Sequence, residues 1–161
     1  MAEKDNSLAG ANPPQAPDIE RAVLGAMFFE REAIGIAIEE IGKIDDCFYK
    51  PAHSIIFRAM TDLYDENFPV DQLTVSERLR QRGVLDQIGG ETAIASLSGE
   101  ITSVANVAYH CRILKEKAFL RKLIALTVST RALCHSDGAD PSSILATLEE
   151  NIFRLSDMRV T

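Results

Sequence analysis

The sequence predicts an all-α protein in which a compact helical bundle is followed by a long antiparallel helical hairpin. Apolar residues recur at the three- and four-residue spacing of a buried helix face. Glycine, proline and acidic residues stand where such helices begin and end. No segment shows the alternation of apolar and polar residues between tight turns that is typical of a β-strand. Helices are therefore expected throughout.

Three regions are predicted along the chain. Residues 1–16 are rich in Ala, Pro, Asn and Gly and carry too few large apolar side chains to offset the entropy lost on ordering. We expect a disordered leader there, a globular helical bundle over residues 17–101 and the helical hairpin over residues 102–161.

The bundle opens with two helices, predicted over residues 18–29 and 31–41. The first has acidic residues in its first turn, which suits the helix dipole. Its inner face consists of Ile19, Val23 and Met27. The second helix buries Ile34, Ile38 and Ile41. Gly42 is placed to end the second helix, and Gly25 gives the first a small-residue flank that favours close approach of another helix.

Three shorter helices follow. Pro51 suits the first turn of the third helix, because its missing N–H needs no partner there. The apolar side of that helix consists of Ile56, Phe57, Met60, Leu63 and Tyr64. Thr74 and Glu77 fit a capping box for the fourth helix, which Gly83 ends. A break of two glycines precedes the fifth helix, expected over residues 91–98.

One long helix is predicted over residues 103–136, a stretch without glycine or proline. Gly138 then turns the chain, and Asp140 and Pro141 can begin a final helix. The two helices form an antiparallel hairpin, with Thr130 at one position of its coiled-coil-like seam. The other seam residues are predicted to be Phe119, Leu123, Leu126, Leu133, Leu145, Leu148, Ile152 and Leu155.

A second apolar row lies on the long helix, outside that seam, and consists of Ile113, Leu120 and Ile124. A helix with two apolar rows needs two partners, and the final helix can cover only one of them. The second row is left for the bundle or for another copy of the chain. Together with Tyr109 at the hairpin base, it is the candidate interaction surface.

The stretch from residue 45 to residue 90 carries the most specific pattern. It contains a run of the form D-D-F-Y-x-x-x-H-x-x-I-F, interrupted by Cys47, then a P-V-D turn and then R-x-G-x-L-D-x-x-G-G. The matching residues are Asp45, Asp46, Phe48, Tyr49, His53, Ile56, Phe57, Pro69, Val70, Asp71, Arg82, Gly83, Leu85, Asp86, Gly89 and Gly90. This pattern resembles the N-terminal domain of the bacterial replicative DNA helicases, the DnaB family. The resemblance continues over residues 17–25 and 112–126.

The resemblance implies a binding function. In this family the domain builds a collar of dimers on the hexameric helicase ring, through its hairpins, and offers a docking surface for primase. The candidate dimer or primase interface would then be Tyr109, Ile113, Leu120 and Ile124. Unwinding of DNA with ATP and Mg²⁺ belongs to a motor domain, and no G-x-x-x-x-G-K-[ST] phosphate-binding loop occurs in this sequence. We expect no catalytic residue and no cofactor in this chain, which would be a fragment ending where the interdomain linker begins.

Length and composition fit one such module. The 161 residues are 46% apolar and 25% charged, which is ordinary for a soluble globular protein, and no apolar run approaches the ~20 residues of a membrane span. A secretory signal is lacking and the three cysteines have no disulfide spacing, so we expect a cytoplasmic protein with reduced thiols. A formal charge of -7 argues against strong nucleic-acid binding.

Two groups of residues contain the side-chain types of metal sites. The first group is Asp45, Asp46, Cys47 and His53, whose spacing matches no known site. The second consists of the pairs His110–Cys111 and Cys134–His135, which would lie about 35 Å apart along one helix. Ligand bonds are only about 2 Å long. We therefore expect no metal site within one chain, although an antiparallel dimer could bring the two pairs together.

The basic side chains of the long helix do not form a nucleic-acid site in our interpretation. They are Arg112, Lys115, Lys117, Arg121 and Lys122. At 100° per residue they scatter around the helix, and no aromatic residues are interleaved to stack on bases. A solvated or ion-paired surface is favoured. No nucleophile motif such as G-x-S-x-G points to catalysis.

Three alternatives to the helicase hypothesis stay open at this point. The helicase-binding C-terminal domain of primase has a similar fold, although Met1 and the leader argue for the start of a gene. A free-standing regulator or phage-encoded mimic of the collar would be complete at Thr161. A metal-dependent enzyme would use the acidic, His and Cys residues. The codons that follow Thr161 discriminate the first two from the helicase hypothesis, and a metal assay tests the third.

Overall fold

The computed structural model describes residues 12–42, 45–100 and 103–160. Residues 1–11 of the predicted leader, and the predicted boundary between residues 101 and 102, lie outside the described residues, so these domain limits stay predictions. By its contacts the chain divides into two compact units, one up to Ala118 and one from Phe119 onward.

Seven α-helices account for most of the described residues, and no strand occurs among them, which confirms the all-α prediction. The helices are α1 (Pro17–Phe29), α2 (Arg31–Ile41), α3 (Pro51–Asp65), α4 (Gln72–Gln81), α5 (Gly90–Ser98), α6 (Val107–His135) and α7 (Pro141–Val160). Short 3-10 turns occupy Asp45–Cys47, Asp86–Ile88 and Val104–Asn106. Within the described ranges no helix is both long and apolar enough to cross a membrane.

Most predicted helix limits are confirmed within a residue. α2 runs from Arg31 to Ile41 and is stopped by Gly42, whose φ of 72° suits glycine. The long helix is shorter than predicted at its start, where the Ser103 side chain accepts a hydrogen bond from the backbone N–H of Ala105. That bond holds a 3-10 turn, and α6 begins only at Val107.

The predicted capping box of α4 is wrong. Asp71, and not Thr74, is the N-cap: its carboxylate accepts from the Thr74 backbone N–H at 2.9 Å, and the Thr74 hydroxyl oxygen accepts from the Asp71 backbone N–H at 2.9 Å. The Glu77 carboxylate instead pairs with Arg80 on the surface. An aspartate three residues before a threonine satisfies the same two backbone donors, so the helix begins three residues earlier.

The core of the first unit is built around α1 and α3, with α2, α4 and α5 packed against them. Its largest fully buried side chains include Leu24, Met27, Ile34, Phe57, Met60, Leu79, Ile94 and Leu114. The start of α6 completes this core through Val107, Cys111, Leu114 and Ala118. Burial of this apolar surface is the main stabilising term of the unit.

Gly25 is where α5 approaches α1 most closely, as its small-residue flank predicted. A Cβ at this position would lie 3.1 Å from the Leu97 carbonyl oxygen and 3.2 Å from that of Glu100. The side chain of Glu100 also pairs with Arg21, one turn before Gly25 on α1. The end of α5 is thereby held against the middle of α1.

Candidate protein-binding surface

Residues of the family-like pattern contact the buried carboxylate of Glu20. Glu20 is 0% exposed and accepts hydrogen bonds from the backbone N–H of Tyr49 at 2.7 Å and of Lys50 at 3.3 Å. Its Oε1 also lies 2.8 Å from Nδ1 of the buried His53. These contacts join α1 to the segment that leads into α3. The His53 side chain and the backbone N–H groups of Tyr49 and Lys50 therefore form a structural connection to α1.

The second half of the pattern shapes the turns on either side of α4. Gly83 and Gly89 have φ angles of 71° and 103°, which disfavour any residue with a Cβ, and Asp71 caps α4. Phe48, from the first half, packs against Phe57 with 4.8 Å between ring centroids and the rings tilted by 38°. None of these arrangements offers a reactive group to a ligand.

Arginine–carboxylate pairs link α4 and its C-terminal end to α3 and the residue that follows it. Arg78 Nη2 donates to Glu66 Oε2 at 2.6 Å, and Arg82 Nη2 donates to Asp62 Oδ2 at 2.7 Å. The hydrogen bond from Arg78 lowers the pKa of Glu66, and the same bond raises the pKa of Arg78. The pKa of Arg80 is raised by its bonds to Glu77 and Glu91. These exposed pairs orient α4 and α5 and contribute little to stability.

The first metal hypothesis is not supported by the positions of its residues. His53 is engaged by Glu20, Cys47 is buried and Asp46 is exposed, while the Asp45 side chain lies outside the described ones. In the parts of the chain that the structure describes, no three His, Cys, Asp or Glu side chains lie close enough together to hold a metal ion.

The second metal hypothesis requires a thiolate at Cys111. Burial raises the pKa of the Cys111 thiol to about 12, with a smaller contribution from the negative charge of Glu40. Cys111 is also fully buried in the hydrophobic core of the first unit, where it packs as an apolar side chain. Cys134 and His135 are exposed at the end of α6.

The residues of the predicted basic cluster differ in their exposure and in their ion pairing. Arg112 faces Glu40 with 3.5 Å between Nη2 and Oε1, and Lys115 is exposed. Lys117, Arg121 and Lys122 are partly buried. A partly buried lysine covers apolar surface with its aliphatic stem, so this arrangement supports the interpretation as an ordinary helix surface.

The second unit is an antiparallel hairpin of α6 and α7. The Arg159 guanidinium, near the end of α7, lies 5.5 Å from the ring centroid of Phe119, which is on the part of α6 that begins this unit. Gly138 makes the turn with a φ of 75°. Asp140 caps α7 by accepting from the Ser143 backbone N–H at 3.2 Å. The predicted turn, cap and final helix are confirmed.

The predicted seam residues differ in exposure. Half-buried are Phe119, Leu126, Leu148 and Leu155, and exposed are Leu123, Leu133, Leu145 and Ile152. Thr130 and Ile144 are half-buried as well. Among the described side chains of residues 119–159, none is fully buried. A two-helix unit without a buried core has little apolar burial to stabilise it, so it has apolar surface left for a partner.

Four exposed aliphatic side chains share one side of this hairpin. Leu120 follows the inward-facing Phe119 by one position, and Leu145 follows the inward-facing Ile144 in the same way. Because α6 and α7 run antiparallel, the residue that follows an inward-facing residue points to the same side of the hairpin in both helices. We call this set the hairpin strip; its members are Leu120 (43% exposed), Ile124 (47%), Leu145 (56%) and Ile152 (49%).

The two other candidate interface residues lie on the part of α6 that belongs to the first unit. Tyr109 is 62% exposed, with its ring centroid 6.2 Å from that of His110. Ile113 is half-buried. The assignment of Tyr109, Ile113, Leu120 and Ile124 to an interface stays a prediction, and two of the four belong to the hairpin strip.

Comparison with known proteins identifies the family. The model of the DnaB-like helicase N terminal domain family matches residues 12–116. The chain belongs to this family. A crystal structure of the N-terminal domain of DnaB helicase from Mycobacterium tuberculosis matches it with a TM-score of 0.80 at 30% identity, covering 89% of this chain and 99% of that one.

Replicative helicases are also similar in sequence. The replicative DNA helicase DnaB of Rhodothermus marinus is 42% identical over 152 residues, which is 94% of this chain and 16% of that protein. The helicase of the same name from Treponema pallidum is 34% identical over 159 residues, 99% of this chain and 36% of that protein. The chain thus spans roughly a sixth to a third of these curated relatives. Membership of the DnaB family favours the helicase hypothesis over a primase domain or a metal enzyme.

One important residue, Glu20, was not apparent from the sequence. An acidic residue in the first turn of a helix ordinarily reflects the helix dipole, and Asp18 beside it is indeed exposed. The burial of Glu20 depends on backbone donors about thirty residues further along the chain. The signal in the sequence is His53, which stands in the middle of an apolar run. A buried imidazole needs a polar partner, and here that partner is Glu20.

Proposed function

We propose that this DnaB-family domain joins copies of its helicase into a collar through the hairpin strip and offers the hairpin as a docking platform for primase. The observation that supports the proposal is that no described side chain of residues 119–159 is fully buried, while four aliphatic side chains are exposed on one side of the two helices. Burial of apolar surface drives association. We also propose a cytoplasmic location, which a replicative role would require.

If the hairpin strip of one copy packs against the hairpin strip of a second copy, the two copies form a two-fold dimer, because each contributes the same surface to the interface. The hairpin strip suits this arrangement, since its four members are aliphatic. Dimers of this kind are concentration-dependent, and we expect association at micromolar or higher concentration.

Sedimentation equilibrium over a range of concentrations tests this step. Replacing Leu120 and Ile124 together with Glu should give a folded monomer, because carboxylates would have to be desolvated in the interface. The matched control replaces Ala125 and Ala132 with Glu. Both are exposed and lie on the other side of α6, so this variant should still dimerise. A wild-type chain that stays monomeric at several hundred micromolar contradicts the proposal.

Primase docking is tested by a pull-down with the C-terminal domain of the cognate primase. Alanine at the anchoring position should cost on the order of 2 kcal/mol or more of binding free energy, because a few apolar residues dominate such interfaces. The variants are Tyr109→Ala, Ile113→Ala, Leu120→Ala and Ile124→Ala, compared at equal helicity by circular dichroism. Binding unaffected by all four would relocate docking to the bundle of residues 17–101. No binding by the wild type would favour the free-standing regulator.

A further inference from the structure

The first unit carries a second exposed apolar surface, far from α6 and α7 in the sequence. Phe29, at the end of α1, is 61% exposed, and Phe68, between α3 and α4, is 51% exposed. Arg31 joins the two segments: its Nη1 donates to the Phe68 carbonyl oxygen at 2.9 Å. We call residues 28–32 and 64–69 the corner surface.

The corner surface is held in place before any partner arrives. Arg31 Nη2 also donates to the Tyr64 carbonyl oxygen at 3.4 Å, and the Arg31 guanidinium lies 4.7 Å from the centroid of the Tyr64 ring. A guanidinium fixed by two carbonyl oxygens and a ring orders both segments. Exposed aromatic side chains on such a fixed backbone lose little entropy on binding, which favours association.

The charge of the corner surface indicates what it can bind. Its acids are Glu30, Glu32, Asp65 and Glu66, and its base is Arg31. Glu66 pairs with Arg78. Glu30 and Glu32 are exposed on either side of Arg31 in the sequence, and the Arg31 guanidinium donates to a carbonyl oxygen, so residues 30–32 beside Phe29 carry a net negative charge. This acidic rim repels nucleic-acid phosphates and anionic lipid headgroups. It also opposes two-fold pairing with a second copy, since equal acidic rims would face each other.

We propose that the corner surface docks a basic, amphipathic helical segment of another protein, whose apolar side chains cover Phe29 and Phe68 while its Lys or Arg residues face the acidic rim. Apolar contacts supply affinity, and the charges select the partner and speed the encounter. This surface shares no residue with the hairpin strip. The inference is therefore independent of the proposed dimer.

Fluorescence anisotropy with a defined peptide tests the inference. The probe is a labelled helical peptide of Lys and Leu with one apolar face. Two control peptides keep either the charge, with Ser in place of Leu, or the apolar face, with Glu in place of Lys. The protein variants are Phe29→Ser with Phe68→Ser, and Glu30→Lys with Glu32→Lys. The matched control is Phe153→Ser, which removes an exposed phenylalanine from α7.

The Lys/Leu peptide should bind the wild type and the Phe153→Ser variant equally, and each double variant about tenfold or more weakly, the equivalent of ~1.4 kcal/mol. Binding should also weaken as salt is added. The inference is overturned if the wild type does not bind the Lys/Leu peptide, if either control peptide binds as tightly, or if Phe153→Ser causes the same loss. Loss of self-association in the Phe29/Phe68 variant, measured by sedimentation, would overturn it too, because the surface would then join copies of this chain.

Discussion

Nδ1 of His53 lies 2.8 Å from Oε1 of Glu20, and both side chains are buried in the first unit. The second carboxylate oxygen of Glu20 accepts from the Tyr49 backbone N–H. One side chain of α1 therefore contacts a buried imidazole and also accepts from a backbone donor of the segment that leads into α3.

Replacing Glu20 with Ala should lower the free energy of unfolding by about 3 kcal/mol, because buried donors are left without partners. Urea denaturation followed by circular dichroism measures the change. The control is Glu39→Ala, at an exposed position of α2, where we expect a change within about 0.5 kcal/mol. Equal effects of the two substitutions would contradict the structural role of Glu20.

Two glycines in the middle of helices should respond oppositely to alanine. Gly25→Ala places a Cβ against backbone oxygens of Leu97 and Glu100 that cannot move independently, so we expect a loss of about 1–3 kcal/mol. At Gly35 the nearest atom is the hydroxyl oxygen of Tyr64, 3.1 Å away at the end of a side chain. Gly35→Ala should therefore be neutral or stabilise by up to about 1 kcal/mol. Thermal unfolding of both variants tests the difference in sign.

The N-cap of α4 can be identified by substitution. Asp71→Ala should cost about 1 kcal/mol of stability, because the Thr74 backbone N–H loses its acceptor. Glu77→Ala should change stability by less than about 0.5 kcal/mol, since it removes only an exposed ion pair. A larger loss for Glu77→Ala than for Asp71→Ala would restore the capping box that the sequence predicted.

Cysteine reactivity should separate the exposed thiol from the buried ones. With Ellman's reagent at about pH 8, Cys134 should react fast and Cys111 should stay unreacted until the protein unfolds, because only a small fraction of Cys111 is thiolate. The variant Cys134→Ser should lose the fast phase. Since the pKa of Cys111 is raised from 9.0 to about 12, its contribution to stability is complete below pH 9.0 and is lost as the pH rises toward 12.

The chain should not bind ATP. The sequence lacks a phosphate-binding loop with its lysine and the hydroxyl that holds Mg²⁺. Calorimetric titration with ATP and Mg²⁺ should give no binding heat beyond that of a titration with Mg²⁺ alone. A dissociation constant below about 1 mM would reveal a nucleotide site that sequence and structure have not indicated.

Local signals were sufficient to predict the helices. α2 could be placed to the residue because its apolar spacing and Gly42 agree. The start of α4 could not, because Asp71 and Thr74 are both acceptable caps and the choice depends on how the preceding loop leaves α3. Glu20 illustrates the same limit at longer range, since its partners come from a distant segment.

The hairpin shows which features of a surface can be predicted from the helical spacing of apolar residues. A seam and a second row could be read from α6, since both follow helical periodicity. Spacing could not show that Leu145 and Ile152 are half exposed while Ile144 faces inward. That difference depends on how α7 is rotated about its own axis, which helical spacing alone does not specify.

The absence of a fully buried side chain among the described residues 119–159 also bears on how this hairpin opens. Backbone amides exchange with solvent through local unfolding, whose free energy follows the apolar area that each segment buries. In an isolated copy the amides of the hairpin should exchange much faster than those of α1 and α3, which lie in the core. Packing of another copy or a partner protein against the hairpin would slow that exchange. The deuterium uptake of α7 therefore measures assembly in solution.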